Sequence, residues 1–300
     1  MPDFGTIVRA LDGSQEGDSY RCRCPVHGGR SLSMTQKGGR ILVFCFAGCD
    51  SRDVLHALRE RGLWTGRGEK LSIPTGPLGR AGTLQRLEAA ERMWHEARPI
   101  RHGDPVHRYL VERGILLAFF PEDLRYHPGL PYWDVDANGK PVLLGKWPTM
   151  LAGVRNPQGE PVGLHRTYIT SDGRKAPVSA PRKLVKVFDL SGAAVRLFEP
   201  RNGEIGLAEG LETAFSAYLL TGTPTWAALN AGGIERALLP EEIRRVTIFA
   251  DRDPAGLKSA ALACERFRRE GREARILVPN EQKQDFNDIL KNKNAQPAAN

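Results

Sequence analysis

Apolar positions along this chain change rhythm three times, and each rhythm predicts a different kind of structure. Between Tyr20 and Cys49, the β-prone pieces Ser31-Leu32-Ser33-Met34-Thr35 and Ile41-Leu42-Val43-Phe44 are set among glycines at 28, 29, 38 and 39. Short strand-like runs bounded by glycine predict a small β-ribbon. Ser51 is placed to cap a helix in which Val54, Leu55, Leu58 and then Leu63 recur at helical spacing, with Gly62 as its break. Residues 65–82 lose that periodicity and carry Gly66, Gly68, Pro74, Gly76, Pro77, Gly79 and Gly82, the composition of a flexible tether. A second module follows, with helical patterns over Thr83–Ala97 and Asp104–Arg113 and β-prone stretches at Met150–Val154, Val162–Ile169 and Leu184–Phe188.

The third rhythm starts at Glu204 and is the most regular. Apolar strands at Ile205–Ala208, Thr225–Leu229, Val246–Ala250 and Ala274–Val278 are interleaved with helical patterns at Leu211–Leu220 and Ala255–Arg269. That alternation predicts a parallel sheet with helices on its faces. In the second helix Leu257, Ala260, Ala261, Cys264 and Phe267 are expected to share one buried stripe, which makes Cys264 a core residue without chemistry. The expected fold class is α/β in several parts: a ribbon module over residues 1–64, a linker over 65–82, a mixed α/β lobe over 83–203, a parallel-sheet domain over 204–290, and a polar, disordered tail over 291–300.

Composition adds a partner class. With 300 residues and 41% hydrophobic content the chain can bury real cores, and its formal net charge of +8 draws it toward polyanions wherever the excess gathers on one face. The first residues lack the charged start and apolar run of a secretory signal, and nowhere do about 18 apolar residues follow one another, so no membrane association is expected. A soluble, cytoplasmic protein is expected.

Four of the five cysteines crowd into one stretch: Cys22, Cys24, Cys45 and Cys49. In a reducing compartment such crowding reads as metal binding. Cys24-Pro25-Val26-His27 sets a thiolate and an imidazole within reach of one ion, and Cys45-Phe46-Ala47-Gly48-Cys49 offers a second pair; four such ligands suit a closed, tetrahedral Zn²⁺ site. Cys22 is an alternative to Cys24 or His27, but Cys24 is preferred because Cys22 lies outside the knuckle turn. A module this small depends on the metal for much of its folding free energy. Arg21, Arg23, Arg30, Lys37 and Arg40, interleaved with Tyr20, Phe44 and Phe46, offer charges for phosphates and faces for bases.

Acidic residues close two of the expected parallel strands. Ile205–Ala208 runs into Glu209-Gly210, and Val246–Ala250 runs into Asp251-Arg252-Asp253. The carboxyl edge of a parallel sheet is where ligands bind. Clustered carboxylates repel one another without a cation, and hard oxygen donors suit Mg²⁺ or Mn²⁺ with nucleotide phosphates completing the shell. Asp285 and Asp288 follow the last strand and stand as additional acids.

Glu209-Gly210, Asp251-x-Asp253 and the segment Asp285–Asp288 resemble the Toprim domain shared by DnaG-type primases, topoisomerases, some nucleases and recombination mediators. The knuckles at Cys24–His27 and Cys45–Cys49 resemble the primase zinc finger, and the two motifs occur in the order primases use. The resemblance implies a zinc-finger DNA primase in which Glu209, Asp251 and Asp253 bind catalytic Mg²⁺ or Mn²⁺ with Asp285 or Asp288 assisting. It also implies that Arg166, Arg182 and Lys183 of the middle lobe hold nucleotide and template. Two departures stand out: Cys45 and Cys49 enclose three residues where the pattern usually has two, and Thr213 stands where many primases carry a further acid, with Glu212 its candidate substitute. These features and the compact length look more like primase-like proteins of phages, plasmids and integrated elements than a cellular DnaG. The implied partners are a single-stranded DNA template, nucleoside triphosphates and a separate replicative helicase, since no nucleotide-binding Gly-x-x-x-x-Gly-Lys-Ser/Thr element occurs. A Toprim nuclease and a non-catalytic DNA-binding or recombination-mediator protein are the rival readings.

Overall fold

The computed structural model describes residues 3–16, 19–30, 32–37, 40–45, 49, 51–64, 80–136, 140–281 and 284–295. Most of the expected linker, residues 65–79, lies outside the described residues, as do Phe46 and the end of the expected tail, 296–300. The chain divides into two compact units, one of residues 1–87, 131–146 and 182–184, the other of 88–130, 147–181 and 185–300. Among the described residues no helix is long and apolar enough to cross a membrane.

The first unit opens with α1 (Phe4–Ala10), a helix the apolar pattern does not announce; Asp3 caps it by accepting from the Thr6 amide at 2.6 Å. An antiparallel ribbon follows in the order β1 (Ser14–Glu16), β2 (Ser19–Cys22), β3 (Leu32–Lys37) and β4 (Arg40–Cys45). Alternation sets its inner face: Leu32, Met34, Ile41, Val43 and Cys45 are buried against Ile7, Val8 and Leu11 of the opening helix. Then α2 (Ser51–Glu60) begins at Ser51 itself and buries Val54, Leu55 and Leu58 as its spacing predicts. It ends where Gly62 takes φ +67°, with the amides of Gly62 and Leu63 donating to the carbonyls of Arg59 and Leu58, a Schellman stop.

Helix α3 (Arg80–Glu96) starts before the expected linker ends. The middle region continues through β5 (Arg98–Pro99), α4 (Pro105–Glu112), β6 (Leu124–Val135), β7 (Pro141–Arg155), β8 (Pro161–Tyr168) and β9 (Arg182–Lys186), with sheet order β5-β6-β7-β8-β9. The length of β6 and β7 is not legible from pattern, because Pro128, Pro131, Pro141 and Pro148 read as breakers. Strand β5 pairs only with Arg125 and Tyr126, so the prolines of β6 fall beyond that ladder, where their missing amides cost it nothing.

The rest of the second unit is a parallel sheet of order β11-β10-β12-β13, formed by β10 (Glu204–Ala208), β11 (Thr225–Ala227), β12 (Arg245–Phe249) and β13 (Glu273–Leu277). Its helices are α5 (Leu211–Thr221), α6 (Ala231–Arg236), α7 (Pro254–Arg269) and α8 (Phe286–Ala295). One sheet face, with Ile205, Leu207, Trp226, Val246 and Ile248, packs on Ile234 of α6 and on Ala260, Ala263, Cys264 and Phe267 of α7. The other face meets α5 and α8; the rings of Phe249 and Phe286 stand edge to face at 5.2 Å. Gly206 is required on that face, since a Cβ there would lie 2.4 Å from Thr225 Oγ1.

Three expectations are corrected here. The buried stripe of α7 is Gly256, Ser259, Ala260, Ala263, Cys264 and Phe267, whereas Leu257 and Ala261 are exposed: Ala260, Cys264 and Phe267 stay inward, but the centre of the face is turned by about 65° from the one the larger side chains suggest. The strand from Thr225 stops at Ala227, because Leu229 takes φ +72° and Asn230 then caps α6 through Gly233. Residues 291–295 of the expected disordered tail are the last part of α8.

Candidate functional sites

The four residues expected to bind zinc lie close together. One ligand atom each from Cys24, His27, Cys45 and Cys49 lies within 4.8 Å of all the others. Cys24 Sγ is 3.8 Å from Cys49 Sγ, and His27 Nε2 is 3.3 Å from Cys45 Sγ. A tetrahedron with Zn–S near 2.3 Å and Zn–N near 2.05 Å has edges of about 3.6–3.8 Å, so the donor set and its spacing fit this ion. Strand register builds the site: Cys22 pairs with Leu32 and Leu32 with Cys45, so Cys24, just past the end of β2, is carried toward the end of β4. The knuckle is closed by the Gly28 amide donating to the Cys24 carbonyl, with Gly28 at φ +77°, and is tied to α2 by Arg61 donating to the Pro25 carbonyl at 2.8 Å.

Hydrogen bonding to Cys24 and then Cys45 pushes the His27 imidazole up to about 10, and the same two sulfurs hold the Cys49 thiol far above its ordinary range. The four grouped residues include Cys24 and not Cys22, which is fully buried in the ribbon core. Several of the ribbon residues expected to touch template also make contacts within the ribbon. Arg23 pairs with Asp12, Arg30 donates to Ser14, and Tyr20 packs edge-on against Phe4. The side chains of Lys37, Arg40 and Phe44 lie outside the described residues.

In the parallel sheet the acids fall at the carboxyl edge. Ala208 pairs with Phe249 on neighbouring parallel strands, so the chain leaves β10 at Glu209 and β12 at Ala250-Asp251 side by side. Asp251 keeps Oδ1 out of solvent, and Gly256 lets the first turn of α7 press against it, since a Cβ there would be 2.8 Å from the Asp251 carbonyl. Asp253 is the N-cap of α7, its Oδ1 accepting from the Gly256 amide at 2.8 Å, with Pro254 at the first helical position. Asp285 and Asp288 form a reciprocal capping box on α8: the Asp288 amide donates to Asp285 Oδ1 at 2.8 Å, and the Asp285 amide to Asp288 Oδ2 at 3.2 Å. Among the described residues these carboxylates are not gathered into a second group as tight as the cysteine–histidine one. Their donor chemistry, hard oxygen on one sheet edge, is the kind Mg²⁺ or Mn²⁺ takes.

Pattern does not reveal two supporting contacts at this edge. Arg252, between the two aspartates, donates from Nη1 to the carbonyls of Pro279 and Asn280 at 2.7 and 2.6 Å, fastening the segment after β13 to the segment after β12. Glu212, in the first turn of α5, is 7% exposed and accepts a hydrogen bond from Tyr109 of α4. An arginine beside two acids signals the first only in hindsight, and a tyrosine on an amphipathic helix reads simply as core. Of the basic candidates, Lys183 donates to the Trp133 carbonyl and sits 3.8 Å over the Tyr132 ring, whereas Arg182 is exposed beside it on β9. Arg166 belongs to the other unit, on β8, where it donates to the Tyr168 hydroxyl at 3.1 Å.

Two family models match. Residues 204–296 match the Toprim domain, and residues 84–197 match a domain of unknown function, DUF7146. No curated protein sequence matches the chain. Among solved structures, the chain is similar to a DNA primase domain from Pseudomonas aeruginosa, with 16% identity and TM-score 0.45 over 70% of this chain and 74% of that one. It is also similar to the Aquifex aeolicus primase with its zinc-binding and RNA polymerase domains, with 17% identity and TM-score 0.46 over 97% and 80%. A third is a DnaG primase catalytic domain bound to ssDNA, with 16% identity and TM-score 0.45 over 71% and 78%.

Proposed function

We propose that this chain, which carries a Toprim domain at residues 204–296, is a DNA primase that joins ribonucleotides into primers on a single-stranded template. The observation that carries the reading is the delivery of Glu209 and Asp251-x-Asp253 to one edge of the sheet by two adjacent parallel strands. Glu209, Asp251 and Asp253 would hold the divalent ions, with Asp285 and Asp288 next to hand. Bound Mg²⁺ or Mn²⁺ would neutralise charge on the triphosphate and on the departing pyrophosphate. The Asp251 carboxylate, partly withdrawn from water, and the Asp253 carboxylate, fixed by the α7 cap, are held in place before substrate arrives, which is what electrostatic preorganisation requires.

The Cys24, His27, Cys45 and Cys49 site is read as structural zinc, closed by four protein ligands and therefore without an open position for chemistry. Its ribbon is read as a template-contacting module, and Arg166, Arg182 and Lys183 as nucleotide and template contacts. The spacing of Cys45 and Cys49 supports a setting in phage, plasmid or integrated-element replication, with a helicase supplied separately.

The test is an extension assay with single-stranded DNA, labelled ribonucleotides and Mg²⁺ or Mn²⁺, run with the parent chain and with Glu209→Gln. Strand growth that disappears in the variant, with folding retained, is the expected result. Shortening of the strands by the parent would identify a Toprim nuclease instead.

A further inference from the structure

We infer that the groove between the start of α4 and the loop leading into β6 binds a stretch of single-stranded nucleic acid by stacking a base and pairing its phosphates. The inference rests on the reading of the chain as a protein that works on DNA. The groove lies wholly within the second unit and has a volume of about 550 Å³, inside the range of about 300–1,000 Å³ typical of ligand clefts. Arg101, His102, Phe119, Phe120, Glu122 and Arg125 give it its chemistry.

Three features set it apart from an ordinary solvated surface. Phe119 is 81% exposed at the groove, a whole aromatic face presented to water. Beside it Phe120 is flanked by the His102 and His107 rings at 5.7 and 6.1 Å, so flat surfaces are grouped. The cations are available for a ligand or already engaged with rings: among the described residues the Arg101 side chain meets no carboxylate, ring or hydrogen-bond partner, and Arg125 lies 4.6 Å over the Trp94 ring. Glu122 is the one acid among the lining residues, so cations outnumber it. Grouped rings beside the open Arg101 guanidinium, with Arg125 held on Trp94 by its ring and its carbonyl, are complementary to an unstacked base on an anionic backbone. A duplex does not present base faces, which makes a single strand the better fit. An apolar protein partner would use Phe119 but would leave Arg101 facing nothing.

The experiment is fluorescence anisotropy with the full chain, using labelled oligothymidylate and an abasic sugar–phosphate strand of equal length, across a salt series. Phe119→Ala should weaken oligothymidylate binding by about tenfold while leaving the abasic strand unaffected, because stacking requires a base. Arg101→Ala should weaken both strands and lower the salt slope by about one. Both side chains are exposed, so the variants should fold, and matching thermal melts would check this. If both variants bind like the parent, the groove is overturned while the primase reading stands; if the parent binds no single strand, both fail. A change in sedimentation mass on Phe119→Ala without a change in DNA binding would make the surface a protein contact and overturn the inference.

Discussion

Tyr109 of α4 donates its hydroxyl to the carboxylate of Glu212, two residues past Gly210 in the first turn of α5. Both side chains are buried, and the Arg113 guanidinium covers the Tyr109 ring at 3.9 Å. The contact pins the helix that follows Glu209-Gly210 to the helix between β5 and β6, within one unit. Asn287 of α8 extends the polar seam, donating to Ser216 Oγ and to the Arg113 carbonyl at 3.0 and 2.8 Å.

Removing the phenol hydroxyl tests how much that seam matters. Tyr109→Phe takes a donor from a buried carboxylate and should cost about 1–3 kcal/mol, read as a lower thermal midpoint. Glu212→Gln keeps an acceptor oxygen for Tyr109 and should cost less. A larger loss in Glu212→Gln than in Tyr109→Phe would show that the carboxylate charge, rather than the hydrogen bond, is what the seam requires.

Metal removal should act on the first unit alone. A chelator, or Cys24→Ser, should release one zinc per chain and melt the ribbon signals in amide spectra, since the metal closes a module with a small core. Cys22→Ser places a hydroxyl in the fully buried Cys22 position, so it should lower stability by about 1–3 kcal/mol and leave zinc content unchanged. Loss of zinc in that variant would make Cys22 a ligand after all.

The sequence exposes parts of this arrangement unequally, for physical reasons. Strands β10 and β12, buried on both faces past their first residues, are mostly apolar runs, broken in β12 only by Thr247, and can be read directly. The ribbon's cysteines and histidine are readable because ligand spacing is a local constraint. Strands β6 and β7 are hidden by prolines that their pairing tolerates, and the inward face of α7 is set by the small residues Gly256, Ser259, Ala260 and Ala263 rather than by Leu257. At Asp253, Asp285 and Asp288 spacing is silent in a deeper way. A carboxylate at a helix start serves as a cap and as a cation ligand with the same atoms, so residue type cannot separate the two roles.

Substitution separates them at Asp253. Asparagine is as good an N-cap as aspartate but carries no charge, so Asp253→Asn should keep the thermal midpoint of the parent while extension falls sharply. Asp253→Ala loses the Gly256 contact as well and should add a stability cost of about 1 kcal/mol. Full extension by Asp253→Asn would leave Asp253 as a cap alone.

Arg252 offers the most discriminating measurement at the acidic edge. Its two hydrogen bonds to the Pro279 and Asn280 carbonyls lie between the Asp251-x-Asp253 segment and the chain that leads to Asp285. Arg252→Ala should therefore increase amide hydrogen exchange at residues 280 and 281 while the core strands β10 and β12 stay protected. If Asp285 or Asp288 contributes to the metal site, the same variant should also raise the Mg²⁺ concentration needed for half-maximal extension, because the chain leading to those acids loses its tie to the Asp251-x-Asp253 segment. Arg252→Lys, with one charge but a single ammonium for two carbonyls, should restore part of the protection. A variant with freed exchange and an unchanged Mg²⁺ requirement would confine the metal site to Glu209, Asp251 and Asp253, leaving the capping box of α8 with a purely structural duty.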